Sequence, residues 1–375
     1  MKTKIMFVGL DVDDKAFHVG GFVPESGEIL EFSCKPTAAM LHQKLGKYEQ
    51  LGYSLRICYE SCHLGFSLCR DLVAKGWECT VISSASIPRP AGAQVKTDRL
   101  DANKLARYFA NGLLTAVHVP SSAREAERDL IRTRRFLQEQ TTDIKRYILS
   151  LCRRAGLDYR KTSGEGPQSH YWSARHRQWI QGAIGHIEEP SWKINLSTLL
   201  LNLQQLEEQV RFYDLEVEKL STQPHYEQAV KALGCFRGLS TLSSMTILAE
   251  LGTIARFSHP RQLVSYAGMD IAEYSSGGKE RKRGITKMGS SHLRRTLIES
   301  CQYAGARVAL SKPLRKRREY SPSLETIQIA DRCMKRLYQR SEHLSRRGKP
   351  KNKIKVACAR ELTGFIWESL RSIGF

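Results

Sequence analysis

Apolar residues over the first hundred positions fall in short runs with the two-residue alternation of strands, interrupted by stretches with helical spacing. Residues 4–12 (Lys-Ile-Met-Phe-Val-Gly-Leu-Asp-Val) read as a buried strand ending in acid. Residues 17–23 and 28–33 read as two more strands, and 37–50 as a helix. The run Leu55 to Glu60 is a strand that also ends in acid, followed by a helix over 64–75 and a strand over 78–82. After a Pro/Gly/Ala loop near 87–93, Asp98 begins a helix that runs through Leu105 and Phe109.

Beyond residue 120 the spacing turns helical. Residues 121–155 place Leu130, Leu137, Ile144 and Leu151 seven apart. Leu196, Leu199, Leu203, Leu206, Val210, Tyr213, Val217 and Leu220 then alternate steps of three and four, a coiled-coil signature. One antiparallel hairpin of the two helices would use this seam, and so would self-association through it. The aromatic, basic stretch 160–182 between them has no assignment from its pattern. Residues 229–310 form a compact helical pattern. Phe236-Arg237-Gly238-Leu239-Ser240 resembles the entry to a helix-hairpin-helix, although Ser240 stands where a second glycine is usual. A final apolar helix covers 356–370. Three strands, then helix, strand, helix, strand is a ribonuclease-H-like order. The expected organisation is an α/β domain over 1–115, a coiled-coil or linker region over 120–225, a mostly helical domain over 228–310 and a basic helical region over 311–375.

Charge sharpens this picture. The chain carries a net +21, yet its first 110 residues hold 14 lysines and arginines against 12 acids, so almost all of the excess lies further on. Such asymmetry favours a polyanion, because binding one releases condensed counterions. Basic clusters at 315–318 and 346–353 fit either a phosphate site or a solvated face. No long helix pairs a Lys/Arg face with a Trp/Phe/Leu face, and no run approaches the roughly 18 apolar residues of a membrane span. The ten cysteines form no Cys-x-x-Cys pair, so they read as reduced, mostly buried thiols of a cytoplasmic protein.

The candidate chemistry is in two places. Asp11 and Glu60 end neighbouring strands, and Asp98 and Asp101 share one face at a helix start. Four carboxylates so placed suit Mg²⁺, a hard ion that takes oxygen ligands. Two such ions about 3.5–4 Å apart can hold both oxygens of an in-line phosphoryl displacement. Each acid also has a plain structural role open to it: Asp98 as a helix cap, Asp101 against the helix dipole. Asp13 and Asp14 are weaker substitutes for Asp11, lying beyond the apolar run. In the second half, Ser276 sits in Tyr-Ser-Ser-Gly-Gly ahead of Lys279, Arg281, Lys282, Arg283 and Lys287, with Arg294 and Arg295 on the next helix. Cations there would position a scissile phosphate and stabilise its transition-state charge. The alternative for Ser276 is an ordinary Ser/Gly turn.

These strings resemble the insertion-sequence-110 transposases. The matching residues are Gly9-Leu10-Asp11, Tyr59-Glu60 and Lys96-Thr97-Asp98-Arg99-Leu100-Asp101-Ala102, then Leu248-Ala249-Glu250-Leu251-Gly252, Arg256-Phe257, Tyr266-Ala267-Gly268, Ser276-Gly277 and Leu293-Arg294-Arg295. The resemblance implies a RuvC-like domain whose Asp11, Glu60, Asp98 and Asp101 bind Mg²⁺, and a C-terminal domain whose Ser276 attacks double-stranded DNA to form a covalent phosphoserine. It also implies a non-coding bridge RNA that selects donor and target sites. A homo-oligomer, dimer or tetramer, would combine one protomer's metal site with another's serine. Two other readings use fewer of these residues: a RuvC-like structure-specific endonuclease with metal-activated water, and a nucleic-acid-binding module whose acids are structural.

Overall fold

The computed structural model describes residues 4–88, 98–162, 170–273 and 282–375, with backbone alone at Ser86, Asp98–Leu100, Thr162, Glu273, Lys282 and Arg283. Ser276, Lys279 and Arg281 therefore lie outside the described residues. The chain divides into two compact units, Met1–Glu125 and Ala126–Phe375.

In the first unit, β1 (Lys4–Val12), β2 (Phe17–Phe22), β3 (Ile29–Cys34), α1 (Ala38–Gln50), β4 (Tyr53–Glu60), α2 (Ser67–Ala74), β5 (Glu78–Ile82) and α3 (Asp98–Ala110) follow in order. The sheet runs β3-β2-β1-β4-β5. β1–β2 and β2–β3 are antiparallel, whereas β1–β4 and β4–β5 are parallel. This is the α/β order expected from the strand pattern. Met6, Val8 and Leu10 of β1 join Leu41, Leu45 and Leu72 of α1 and α2 in one core. α3 takes the opposite face. Cys58, Ile82 and Leu105 are buried together there.

Two glycines make that second layer possible. A Cβ on Gly9 would stand 2.3 Å from the Ala102 carbonyl oxygen and 2.6 Å from the Ala106 nitrogen. One on Gly20, its cross-strand neighbour, would meet the Asn103 backbone nitrogen at 2.6 Å. Side-chain-free positions on adjacent strands thus let α3 lie directly on the backbone of β1 and β2.

The boundary falls in the first turn of α4 (Ser122–Arg154), and the second unit continues with α5 (Tyr159–Thr162), α6 (Ala174–Gly185), α7 (Pro190–Ser221), α8 (Pro224–Gly234), α9 (Thr241–Leu251) and α10 (Pro260–Tyr266). A hairpin of β6 (Ile271–Glu273) and β7 (Lys282–Ile285) follows, then α11 (Ser291–Ser300), α12 (Lys312–Arg318), α13 (Leu324–Arg346) and α14 (Lys351–Ser372). Ile148, Leu151 and Cys152 of α4 bury with Leu196 and Leu203 of α7, while Ile131 shares a core with Val217 and Leu220. The two long helices are therefore antiparallel within one chain, and Arg134–Asp214 (2.8 Å) and Lys145–Glu207 (2.7 Å) fix their register. Six of the eight α7 seam residues are buried, Leu199 and Tyr213 are half-buried, and α6 joins the same cluster through Ile180 and Ile184. On α4 the buried face is Ile131, Thr141, Ile148, Leu151 and Cys152, so three of the four residues spaced by sevens are only half-buried. Residues 170–182, unassigned from their pattern, pack Tyr171, Trp172 and Trp179 around the buried His176.

Eight of the ten cysteines are buried and none is bonded to another. Burial pushes the Cys58 thiol up to about 12 and those of Cys152 and Cys358 to about 11. No described helix is long and apolar enough to cross a membrane.

Candidate functional site

The acids of the first unit are brought together by register. β1 and β4 pair in parallel with Leu10 opposite Tyr59, so one step further Asp11 stands beside Glu60. Strands in a sheet lie about 4.7–4.9 Å apart, and residues in register project from the same face. That face is the one bearing α3. Asp11 is two residues beyond Gly9, which faces α3, and Glu60 is two beyond Cys58, whose thiol reaches toward the Leu105 carbonyl at 3.9 Å.

The direction of α3 supplies the other half. Ala102 and Ala106 sit over Gly9, and Phe109 meets Phe7 edge-on at 5.6 Å. The helix thus runs antiparallel to β1, which puts its first turn, with Asp98 and Asp101, at the strand end carrying Asp11. Asp101 and Asp11 are half-buried and Glu60 is exposed. The nearby alternatives are engaged elsewhere: Asp14 pairs with His63 at 2.9 Å and Asp13 accepts the Lys15 amide at 2.9 Å.

All four positions offer hard oxygen donors, the ligand type that Mg²⁺ prefers. Among the described residues no three His, Cys, Asp or Glu approach closely enough to hold a metal ion. Those residues include Asp11, Glu60 and Asp101 but not the Asp98 side chain. The fit is therefore one of donor chemistry and shared face.

In the second unit, β6 and β7 carry the segment containing Ser276 between them. The base of this hairpin is built from backbone bonds. The Thr286 amide donates to Asp270 (2.8 Å), Lys287 to Gly268 (2.9 Å) and Ser290 to Tyr266 (3.1 Å). Below it lies Glu250, an acid buried in the apolar helix α9 at 4% exposure. Arg132 of α4 grips its carboxylate with two bonds of 2.8 and 3.0 Å. The Ser290 hydroxyl adds a third at 2.9 Å, and the Tyr266 hydroxyl donates to the Glu250 backbone carbonyl at 2.9 Å. Burial would raise this carboxyl, but the hydrogen bonds and charge of Arg132, with Ser290 and His292, hold it below the ordinary glutamate range. Burial, reinforced by Arg132 and Arg135 against the opposing Glu250, pushes His292 down. Glu250 belongs to a string that carries the family resemblance, but nothing in that string points to Arg132 or Ser290 as its partners. The legible signal was a lone acid amid Met245, Ile247, Leu248 and Leu251.

The candidate cations fall into different roles. Arg294 donates to the carbonyls of Ala267 (3.2 Å) and Lys287 (3.3 Å), which makes it part of the hairpin base. Arg295 pairs with Glu299 at 2.9 Å and also with Glu139. Lys282 and Arg283 lie on β7 with their side chains outside the described residues. Lys287 is exposed and takes a left-handed backbone with φ of 58°. A non-glycine residue there carries roughly 1 kcal/mol of strain. Lys287→Gly should therefore raise the melting temperature while weakening DNA binding; Lys287→Ala should weaken binding with no gain in stability. Each should lower the salt slope of duplex binding by about 0.9, as for one lost phosphate contact. Calorimetry and binding titrations over a salt series would read both effects.

Ser240, at the α8–α9 turn, is a helix cap. Its hydroxyl accepts the Ser243 amide at 3.3 Å and the Ser243 hydroxyl accepts the Ser240 amide at 2.6 Å. Gly238 supplies the turn's flexibility with φ of 86°, packed so that a Cβ would stand 2.0 Å from the Ser300 carbonyl oxygen.

Known proteins match in the same two places. Residues 8–155 match the DEDD_Tnp_IS110 family, described as Transposase, and residues 231–319 match the Transposase IS116/IS110/IS902 family. A Sinorhizobium fredii protein named "Putative transposase y4qE" is 33% identical over 97% of this chain and 88% of its own length. The transposase for insertion sequence element IS1533 of Leptospira borgpetersenii is 24% identical over 92% of this chain and 97% of its own. That for IS1111A of Coxiella burnetii is 24% identical over 80% and 77%. With an acid-bearing α/β unit, a helical unit matched separately, and a relative one-third identical along nearly its whole length, the chain belongs to the IS110 family of insertion-sequence transposases, enzymes that cut and transfer DNA.

Proposed function

We propose that this transposase cuts and rejoins double-stranded DNA through a covalent phosphoserine on Ser276, with Asp11, Glu60, Asp98 and Asp101 as its Mg²⁺ ligands. The observation that carries the reading is the convergence of β1, β4 and the first turn of α3 on one face of the sheet. Bound there, the metal would supply Lewis-acid stabilisation of charge developing on the scissile phosphate. The chain's own groups do the rest. Ser276 Oγ forms a bond to phosphorus as the bond from phosphorus to a deoxyribose oxygen breaks, and the serine proton leaves to a base. Attack by a different strand's hydroxyl reverses the step, so rejoining needs no nucleoside triphosphate. Arg294, Ser290 and Glu250 hold the hairpin base from which the segment carrying Ser276 departs. A non-coding bridge RNA would choose the DNA sites, and a homo-oligomer would bring one protomer's acids to another's serine.

The test is adduct trapping. Full-length protein, cognate DNA and Mg²⁺, quenched in denaturant, should give a protein–DNA species that Ser276→Ala abolishes and Ser275→Ala retains. Adducts lost in Ser275→Ala but kept in Ser276→Ala would transfer the role to Ser275. Efficient cleavage with no adduct in any variant would replace this mechanism with one that uses metal-activated water.

A further inference from the structure

An open groove of about 590 Å³ lies between the α8–α9 turn and α12, bounded by Arg237, Ser240, Tyr303, Leu314 and Arg317. Among the described residues its two arginines bond only neutral acceptors. Arg237 donates to the carbonyls of Ala306 (3.0 Å), Arg307 (2.9 Å) and Ala309. Arg317 donates to the Leu239 carbonyl, and its Nε is buried with no partner. Behind them Arg318, 8% exposed, binds the Cys235 carbonyl at 3.1 Å and Asp331 at 2.7 Å and has a buried Nη2 without a partner. Carbonyls satisfy N–H geometry but leave two full positive charges at the groove wall. Burial, then Arg318, makes Arg237 less basic than usual, and burial does the same to Arg317. An entering anion would offset both penalties. Arg315 and Lys316, exposed on α12, extend the positive surface. Beside the arginines stands Tyr303, 64% exposed.

A guanidinium pair next to an uncovered aromatic ring is the chemistry of a single-strand seat, where phosphates meet the cations and an unstacked base meets the ring. We propose that this groove holds a single-stranded stretch of DNA, phosphates on Arg237 and Arg317 and a base against Tyr303. Its occupant is DNA rather than RNA because strand transfer exposes unpaired DNA, a choice that rests on the function proposed above.

Binding can be read apart from chemistry, by anisotropy of a short fluorescein-labelled oligodeoxythymidine on full-length Ser276→Ala protein. Adding Tyr303→Ala should weaken single-strand binding about fivefold or more, while Tyr303→Phe and the affinity for duplex stay unchanged. Arg317→Gln should lower the single-strand salt slope by about 0.7. Unchanged single-strand affinity in Tyr303→Ala, or an equal loss for duplex, overturns the seat. An oligouridine bound tenfold tighter than oligodeoxythymidine overturns the DNA assignment. Failure of adduct trapping with the Tyr303 effect intact would sink the phosphoserine mechanism and leave the groove standing.

Discussion

Gly9→Ala is expected to reduce metal-dependent DNA cleavage by about a hundredfold in a protein that still folds. The added Cβ would lie 2.3 Å from the Ala102 carbonyl oxygen, 2.6 Å from the Ala106 nitrogen and 2.8 Å from the Leu105 Cβ. Two of those atoms are backbone, so no side-chain rotation relieves the clash and α3 must lift from the sheet. Overpacking of this kind costs about 1–3 kcal/mol, which a domain of this size tolerates. Catalysis tolerates it less, because the first turn of α3 carries Asp98 and Asp101, and a displacement of about 1 Å can cost on the order of a hundredfold in rate. Gly46→Ala is the control: a Cβ there meets nothing within 4 Å. Cleavage rates and thermal melts of both variants decide the matter. Wild-type cleavage by Gly9→Ala would mean that α3 does not position the acids.

Arg132→Ala should produce the larger loss of stability. It leaves Glu250, 4% exposed, without its bidentate partner. Breaking a buried pair from one side destabilises by about 3–5 kcal/mol. The low end applies, because 37% of the Arg132 side chain remains exposed to solvent screening. The pH dependence follows from the direction of the Glu250 shift. In the wild type its folded pKa is depressed, so its stabilisation is fully present above the ordinary glutamate value and is lost as pH falls through the depressed value. Without Arg132, burial dominates and raises that carboxyl, so the deficit of the variant should be greatest at neutral pH and shrink on acidification. Urea melts across pH would measure it. Combining Arg132→Met with Glu250→Leu should recover much of the loss, since neither then leaves a buried charge. A deficit independent of pH would show that packing, not charge, is what Arg132 contributes.

The sheet was legible because its strands obey local rules. Apolar runs, acids at two strand ends and intervening helical spacing locate the five strands and the helices between them within a residue or two at most boundaries. The pairing of Asp11 with Glu60 was legible in kind, but its register depends on a contact 49 residues away in sequence, which no local pattern specifies. Gly9 and Gly20 show the same limit: glycine within a strand signals close approach, yet only the packed α3 says of what. The heptad seam of α7 was clear, but a seam does not say which helix fills it. The tertiary fold does: α4 and α6 share a core with its first half, and α8 and α9 with its last turns. Arg294 and Arg295 read as phosphate contacts because charge is visible in a sequence. The carbonyls and carboxylates that engage them are brought there by the tertiary fold.

The sealing of the thiols has a practical consequence for following this protein in action. All five cysteines beyond Glu125 are buried, and the only partly exposed ones, Cys62 and Cys79, belong to the sheet unit. A maleimide dye attached through a single cysteine introduced into the serine-bearing unit would thus meet little competing reactivity there. Replacing just Cys62 and Cys79 would give a near-silent background for watching the two units by energy transfer during a reaction.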